Sequence, residues 1–173
     1  MNWVKKFVMS SALSCCAVTA QAAPFSELIF SDDFDRANSN ALGNGWSEIE
    51  QSANDIRLRS GAVRLRDNAE GVIDAGISRE FAGELSEFSL SFDWKPLLNS
   101  DAGDRFLVSW ATEYSNRARD WNPLFSTDLG ANDLNWTTTL ISANQLEALN
   151  GLESFYLLFW TNLSSNKNGS EDN

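Results

Sequence analysis

Residues 88–94, Phe88-Ser89-Leu90-Ser91-Phe92-Asp93-Trp94, alternate strictly between apolar and polar side chains. Only an extended strand puts every second residue on one side, so this run specifies a β-strand with one buried face and a sheet to hold it. Lys95-Pro96 ends it, because proline has no N–H to give to a ladder. Phe106, Val108 and Trp110 repeat the pattern, with Leu107 facing the other way. Residues 136–142 form a third run, carried by the β-favouring Thr137, Thr138 and Thr139. Residues 155–160 are apolar on both sides, as a central strand covered on two faces would be.

The front of the domain reads the same way. Residues 28–34 form an opening strand. Ile56-Arg57-Leu58-Arg59 and Val63-Arg64-Leu65-Arg66 flank Ser60-Gly61, a hairpin with turn chemistry at its centre. Residues 71–81 supply one strand or two. A single helical stretch is expected at Gln145 to Leu149, capped by Ser142 or Asn144 and stopped by Gly151. Many short strands with almost no helix predict an all-β fold, a two-sheet antiparallel β-sandwich (jelly roll) with one short connecting helix; a small barrel is the alternative. Its core is expected to hold Phe88, Leu90, Phe92, Trp94, Phe106, Val108, Trp110, Phe155, Leu157 and Phe159.

Residues 1–22 read as a secretory signal. Lys5 and Lys6 give the positive start, residues 7–18 an apolar stretch diluted by serine, and Ala20-Gln21-Ala22 the small-x-small cleavage pattern. The stretch is too short to span a membrane, which takes about 20 apolar residues. Cys15 and Cys16 both fall inside it, and neither has the preceding residues a lipid-modified cysteine requires. The expected order is therefore a signal peptide over 1–22, a β-sandwich over 23–163 and a polar tail over 164–173. The mature protein would be secreted or periplasmic, free of thiols and not inserted in a membrane.

The 24 acidic residues against 13 basic ones argue against nucleic acid as a partner, since phosphate binding needs clustered surplus cations. Histidine is absent, which removes Ser-His-Asp and Cys-His nucleophile systems and every His-ligated metal. Carboxylate chemistry, oxygen-ligated cations and pure binding remain open.

Phe30-Ser31-Asp32-Asp33-Phe34-Asp35-Arg36, followed by Leu42-Gly43-Asn44-Gly45-Trp46, resembles the start of bacterial concanavalin A-like, laminin-G-like and MAM-like jelly-roll modules. The small helix followed by Leu152-Glu153-Ser154-Phe155-Tyr156-Leu157-Leu158-Phe159 is similar to their penultimate strand. The resemblance implies carbohydrate binding, adhesion or calcium binding, without choosing among them. It also implies a final strand beside the opening one. No apolar run follows the polar residues after 162, so residues 28–34 are expected to show an unpaired edge that invites self-association or a donated strand.

Four constellations bear on function. The first is the loop from Tyr114 to Pro123, where Trp121, Arg119, Asp120 and Asn122 combine an aromatic face with planar hydrogen-bonding groups, as sugar recognition requires. The plain alternative is a sandwich-end loop whose Trp121 folds back as a lid on the core. The second is calcium at Asp33 and Asp35, the pair that the resemblance favours, completed by backbone carbonyls. The third is glycoside hydrolysis, which needs two carboxylates across a cleft; Glu48-Ile49-Glu50 is a bare pair. The fourth is the arginine set Arg57, Arg59, Arg64 and Arg66 on one hairpin face, suited to an acidic polysaccharide or, more simply, to pairing with the protein's own carboxylates. The expectation is a non-catalytic module for a glycan, with an extracellular protein partner as the alternative and an enzyme third.

Overall fold

A computed structural model describes residues 2–12, 26–51, 53–66, 73, 75–83, 85–96, 100, 103–130 and 134–162. The strands among these residues are β1 (Asn2–Ala12), β2 (Ser26–Asp32), β3 (Ser47–Glu50), β4 (Ile56–Arg59), β5 (Ala62–Leu65), β6 (Ala75–Ala82), β7 (Phe88–Pro96), β8 (Arg105–Ala111), β9 (Asn122–Asp128), β10 (Thr137–Ile141) and β11 (Ser154–Asn162). Every pairing between them is antiparallel. They form two packed sheets, the sandwich that the alternating runs predict. One has the order β10-β7-β1-β5-β4 with β2 also on β1; the other has the order β3-β6-β11-β8-β9.

The pleat explains the core. Along β7, Phe88, Leu90, Phe92 and Trp94 are buried while Ser89, Ser91, Asp93 and Lys95 are half-buried on the outer side. Across the gap, Phe106 and Val108 of β8 and Phe155, Leu157 and Phe159 of β11 meet them. Phe92 and Phe159 lie edge to face at 5.3 Å, and Phe88 stacks on Phe155 at 5.7 Å. Of the residues expected inside, only Trp110 is partly exposed, packed against the core from its rim. β11 lies in the middle of its sheet, and its second face carries a smaller apolar cluster of Ile49, Ile73, Ala111, Trp121, Leu158 and Trp160. That is why residues 155–160 are apolar on both sides.

The β4–β5 hairpin turns at Ser60-Gly61, both at positive φ (51° and 68°), the tight primed turn that matches strand twist. The expected helix is a short 3-10 segment, Ala143–Leu149, burying Leu146 and Leu149; Gln145 Oε1 accepts the Ser142 N–H at 3.0 Å. Among the described residues no helix is long and apolar enough to cross a membrane.

The N-terminus holds the largest departure from expectation. Residues 2–12, read as part of a leader lying outside the sandwich, form β1 near the middle of the first sheet. β1 pairs with β7 on one side and with β5 and then β2 on the other. Its Val4, Phe7 and Met9 are buried. The register slips between Val4 and Lys6, so that both lysines stay exposed while Phe7 returns to the inner face. β2 pairs only with β1 among the described strands. The leader's cleavage pattern, both cysteines and the tail over 164–173 lie outside the described residues.

Candidate functional site

Asp32 closes β2 and organises the turn that follows. Its Oδ1 accepts the Phe34 N–H at 2.8 Å and Arg36 Nη1 at 2.7 Å. Its Oδ2 accepts Trp46 Nε1 and Asn44 Nδ2, both at 2.9 Å, and Arg36 Nη2 at 3.2 Å. Burial pushes this carboxyl up, but the hydrogen bonds from Arg36, Asn44, Phe34 and Trp46 outweigh it and hold it below the usual aspartate range. The same contacts keep Phe34 at φ 56°, a left-handed conformation costly for an aromatic residue, with its ring 5.7 Å from Trp46. The acidic-aromatic start and the Leu42–Trp46 turn are thus one structural unit. A carboxylate that already accepts five donors has little capacity left for a cation.

Asp33 and Asp35, the expected calcium pair, are exposed beside this unit, and Asp33 Oδ1 accepts the Asp35 N–H at 3.0 Å. Among the described residues no group of three carboxylates converges here or elsewhere. The adjoining cavity of about 340 Å³ is lined by Lys6, Ser31, Asp32, Asp33, Arg36 and Asn44, so two cations already share it with two carboxylates. Calcium takes six to eight oxygens. The side chains present do not supply such a shell.

The second locality is the loop between β8 and β9. Trp121 is only 6% exposed and joins the outer apolar cluster on the second sheet. Its indole N–H donates to Ser115 O at 2.9 Å, and Ser115 Oγ donates to Asp120 Oδ2 at 2.5 Å. The loop is therefore cinched upon itself with Trp121 folded back as a lid, and the indole offers no open face for stacking. Arg119 stays exposed, 3.7 Å from Asp120. Asn122 begins β9, at the sheet edge where Pro123 is tolerated.

The exposed aromatic of this loop is Tyr114, 47% accessible, whose ring meets Tyr156 at 6.1 Å in an edge-to-face pair. Tyr156 lies on the outer face of β11, opposite Glu80 of β6 and Ala111 of β8. Glu80 stands in register beside it; desolvation first, then the neighbouring Glu80 carboxylate, raise the phenol above its ordinary value. Tyr156 packs on the cluster of Trp121, Leu158 and Trp160, with Trp160 Nε1 donating to Ser109 Oγ at 3.1 Å. The outer apolar cluster thus underlies Tyr156, with the Tyr114 ring against it. Of the residues singled out from sequence, Arg119 and Asp120 are exposed on the loop, whereas Asn122 stands in register with Trp110, on the face of the sheet opposite Tyr156. Tyr156 and Glu80 were not singled out; the alternation of β11, which sends Tyr156 to the face opposite Phe155 and Leu157, was the signal for one of them.

The remaining constellations resolve into structural work. Glu48 Oε1 accepts the Leu42 N–H at 2.6 Å and Glu50 Oε2 the Ile56 N–H at 3.1 Å, so both carboxylates tie loops to β3. Burial, with the neighbouring Glu50 charge, raises the Glu48 carboxyl despite that bond. Arg57 and Arg64 stand directly opposite each other in the hairpin. Arg57 Nε donates to Asn54 O, and Arg59 donates to Ser39 O and Asn40 Oδ1. For these two, the partners seen are carbonyl and amide oxygens, where the charge balance had suggested carboxylates.

No family model, curated protein or solved structure matches this chain. The reading of its function rests on its own geometry.

Proposed function

We propose that the chain is a non-catalytic, extracytoplasmic binding module whose ligand is a carbohydrate, taken on the outer face of the second sheet. The observation that carries this reading is the Tyr114–Tyr156 pair, with Glu80 in register beside Tyr156 and Tyr114 open to solvent. A sugar ring presents an apolar C–H face flanked by paired hydroxyls. Tyrosine rings meet the first, and carboxylate, guanidinium and amide groups meet the second. Glu80, in register with Tyr156, and the exposed Arg119 and Asp120 of the loop after Tyr114 supply the carboxylates and the guanidinium. The leader-like composition of residues 1–22 supports export, and the resemblance to concanavalin A-like modules agrees with a glycan ligand.

The test is a glycan array probed with the full chain, repeated with Tyr114→Ala and Glu80→Gln. Binding lost in both variants at unchanged melting temperature is the expected result. Glycan binding that survives both substitutions refutes the site. An array with no hits refutes the carbohydrate reading and leaves an adhesive protein that binds another polypeptide.

A further inference from the structure

β1 holds the first sheet together. Among the described residues β2 pairs only with β1, and the β4–β5 hairpin joins the sheet only through β1. Without β1 the sheet divides into three pieces: β2, the hairpin, and β7 with β10. The inner edge of β7 would lose its hydrogen-bond partners along Phe88–Pro96. The core would open as well, because the Phe7 ring lies 5.4–6.0 Å from Phe30, Trp46, Phe81 and Phe159. Exposed apolar surface and unpaired backbone groups at one place are the conditions under which a sheet accepts a strand from another chain.

The segment that fills this position also has the composition of a removable leader. We infer that the seat of Asn2–Ala12 is a strand-acceptor groove, which a leader peptidase opens and an extended segment of another polypeptide then fills. This rests on the export reading given above. Removal is hydrolysis of the peptide bond after Ala22: water adds across it, residues 1–22 leave and Ala23 becomes the new amino terminus. A second processed copy has lost the same strand, so it cannot donate β1 itself.

The seat specifies that occupant. It runs antiparallel to Phe88–Pro96 and places apolar side chains at the positions of Val4, Phe7 and Met9, the middle one aromatic. Two basic residues precede the aromatic one. One takes the place of Lys5, whose ammonium lies 5.6 Å from the Trp136 ring that Lys95 also approaches at 5.1 Å. The other takes the place of Lys6, which is registered against Asp93 and lines the cavity that contains Asp32 and Asp33.

The test uses the full chain with a specific protease site introduced within residues 13–22. The folded protein is cut, the released strand is separated in denaturant, and the remainder is refolded with or without the synthetic peptide NWVKKFVMSSA. The expected result is one-to-one peptide binding with recovery of a dye-excluding core, no such recovery without peptide, and at least a tenfold loss of affinity for the Phe7→Asp peptide. A remainder that refolds alone to a dye-excluding monomer and takes up no peptide overturns the inference. So does intact mass showing that the exported chain retains residues 2–12. Neither readout involves a sugar, so failure here and failure of glycan binding are told apart.

Discussion

Replacing Asp32 with alanine removes the acceptor around which the opening turn is built. Two neutral donors, the Phe34 N–H and the Trp46 indole N–H, then stay buried without a partner. Each such loss costs about 1–3 kcal/mol. Arg36 has 30% of its side chain exposed, so water compensates most of its loss and it adds little. The expected total is about 3–5 kcal/mol, the range found when one partner of a buried ion pair is deleted. For a chain of this length that lowers the melting temperature by on the order of 10 °C. Urea unfolding followed by tryptophan fluorescence reads the loss as a lower midpoint at unchanged slope. The pH dependence adds a second signature. The Asp32 carboxyl titrates below its unfolded value, so the stability it confers is fully present above the unfolded pKa and is lost as pH falls through the folded one. The variant should therefore lack that part of the wild-type acid limb. A loss under about 1 kcal/mol, or an unchanged acid limb, refutes the reasoning.

Three further outcomes follow from the same structure. Trp121→Ala should destabilise by about 3 kcal/mol, as deletion of a large buried aromatic does, measured by urea unfolding; a change under about 0.5 kcal/mol would show that the indole is not the lid described. Gly76→Ala should cost about 1–3 kcal/mol in the same assay, because a Cβ there would lie 3.0 Å from both Trp160 Cβ and Ile73 Cγ2. Melting temperatures in millimolar calcium and in chelator should agree; a rise of several degrees with calcium alone would restore Asp33 and Asp35 as ligands.

Much of the sandwich was legible because β-strands with one buried face write their period directly into the chain. β7, β8 and β10, the Ser60-Gly61 hairpin and the two-faced β11 all follow from that period. β9 was hidden: it is an edge strand opening on Asn122-Pro123, and its half-exposed residues lack clean alternation. β1 was hidden for a different reason. A short apolar stretch diluted by serine satisfies both a leader and a half-buried strand, and its pairing with β7 and β2 is not written in the local sequence. The site was less legible than the fold. In Asp32-Asp33-Phe34-Asp35 nothing local says which carboxylate turns inward; the answer depends on Arg36, Asn44 and Trp46 arriving at the same point. Trp121 reads as a platform or a lid until the Ser115 carbonyl is seen to accept its N–H. Tyr156 and Glu80 are 76 positions apart in the chain and meet only through the pairing of β6 with β11.

The most direct test of the carbohydrate site is a nitrogen-15 chemical-shift titration of the full chain with a glycan selected from the array. Saturable shifts are expected at Tyr114, Tyr156 and Glu80 and along residues 115–121, with the Asp32 turn and the β4–β5 hairpin unmoved. Shifts confined to the hairpin arginines or to the outer face of the first sheet would contradict it.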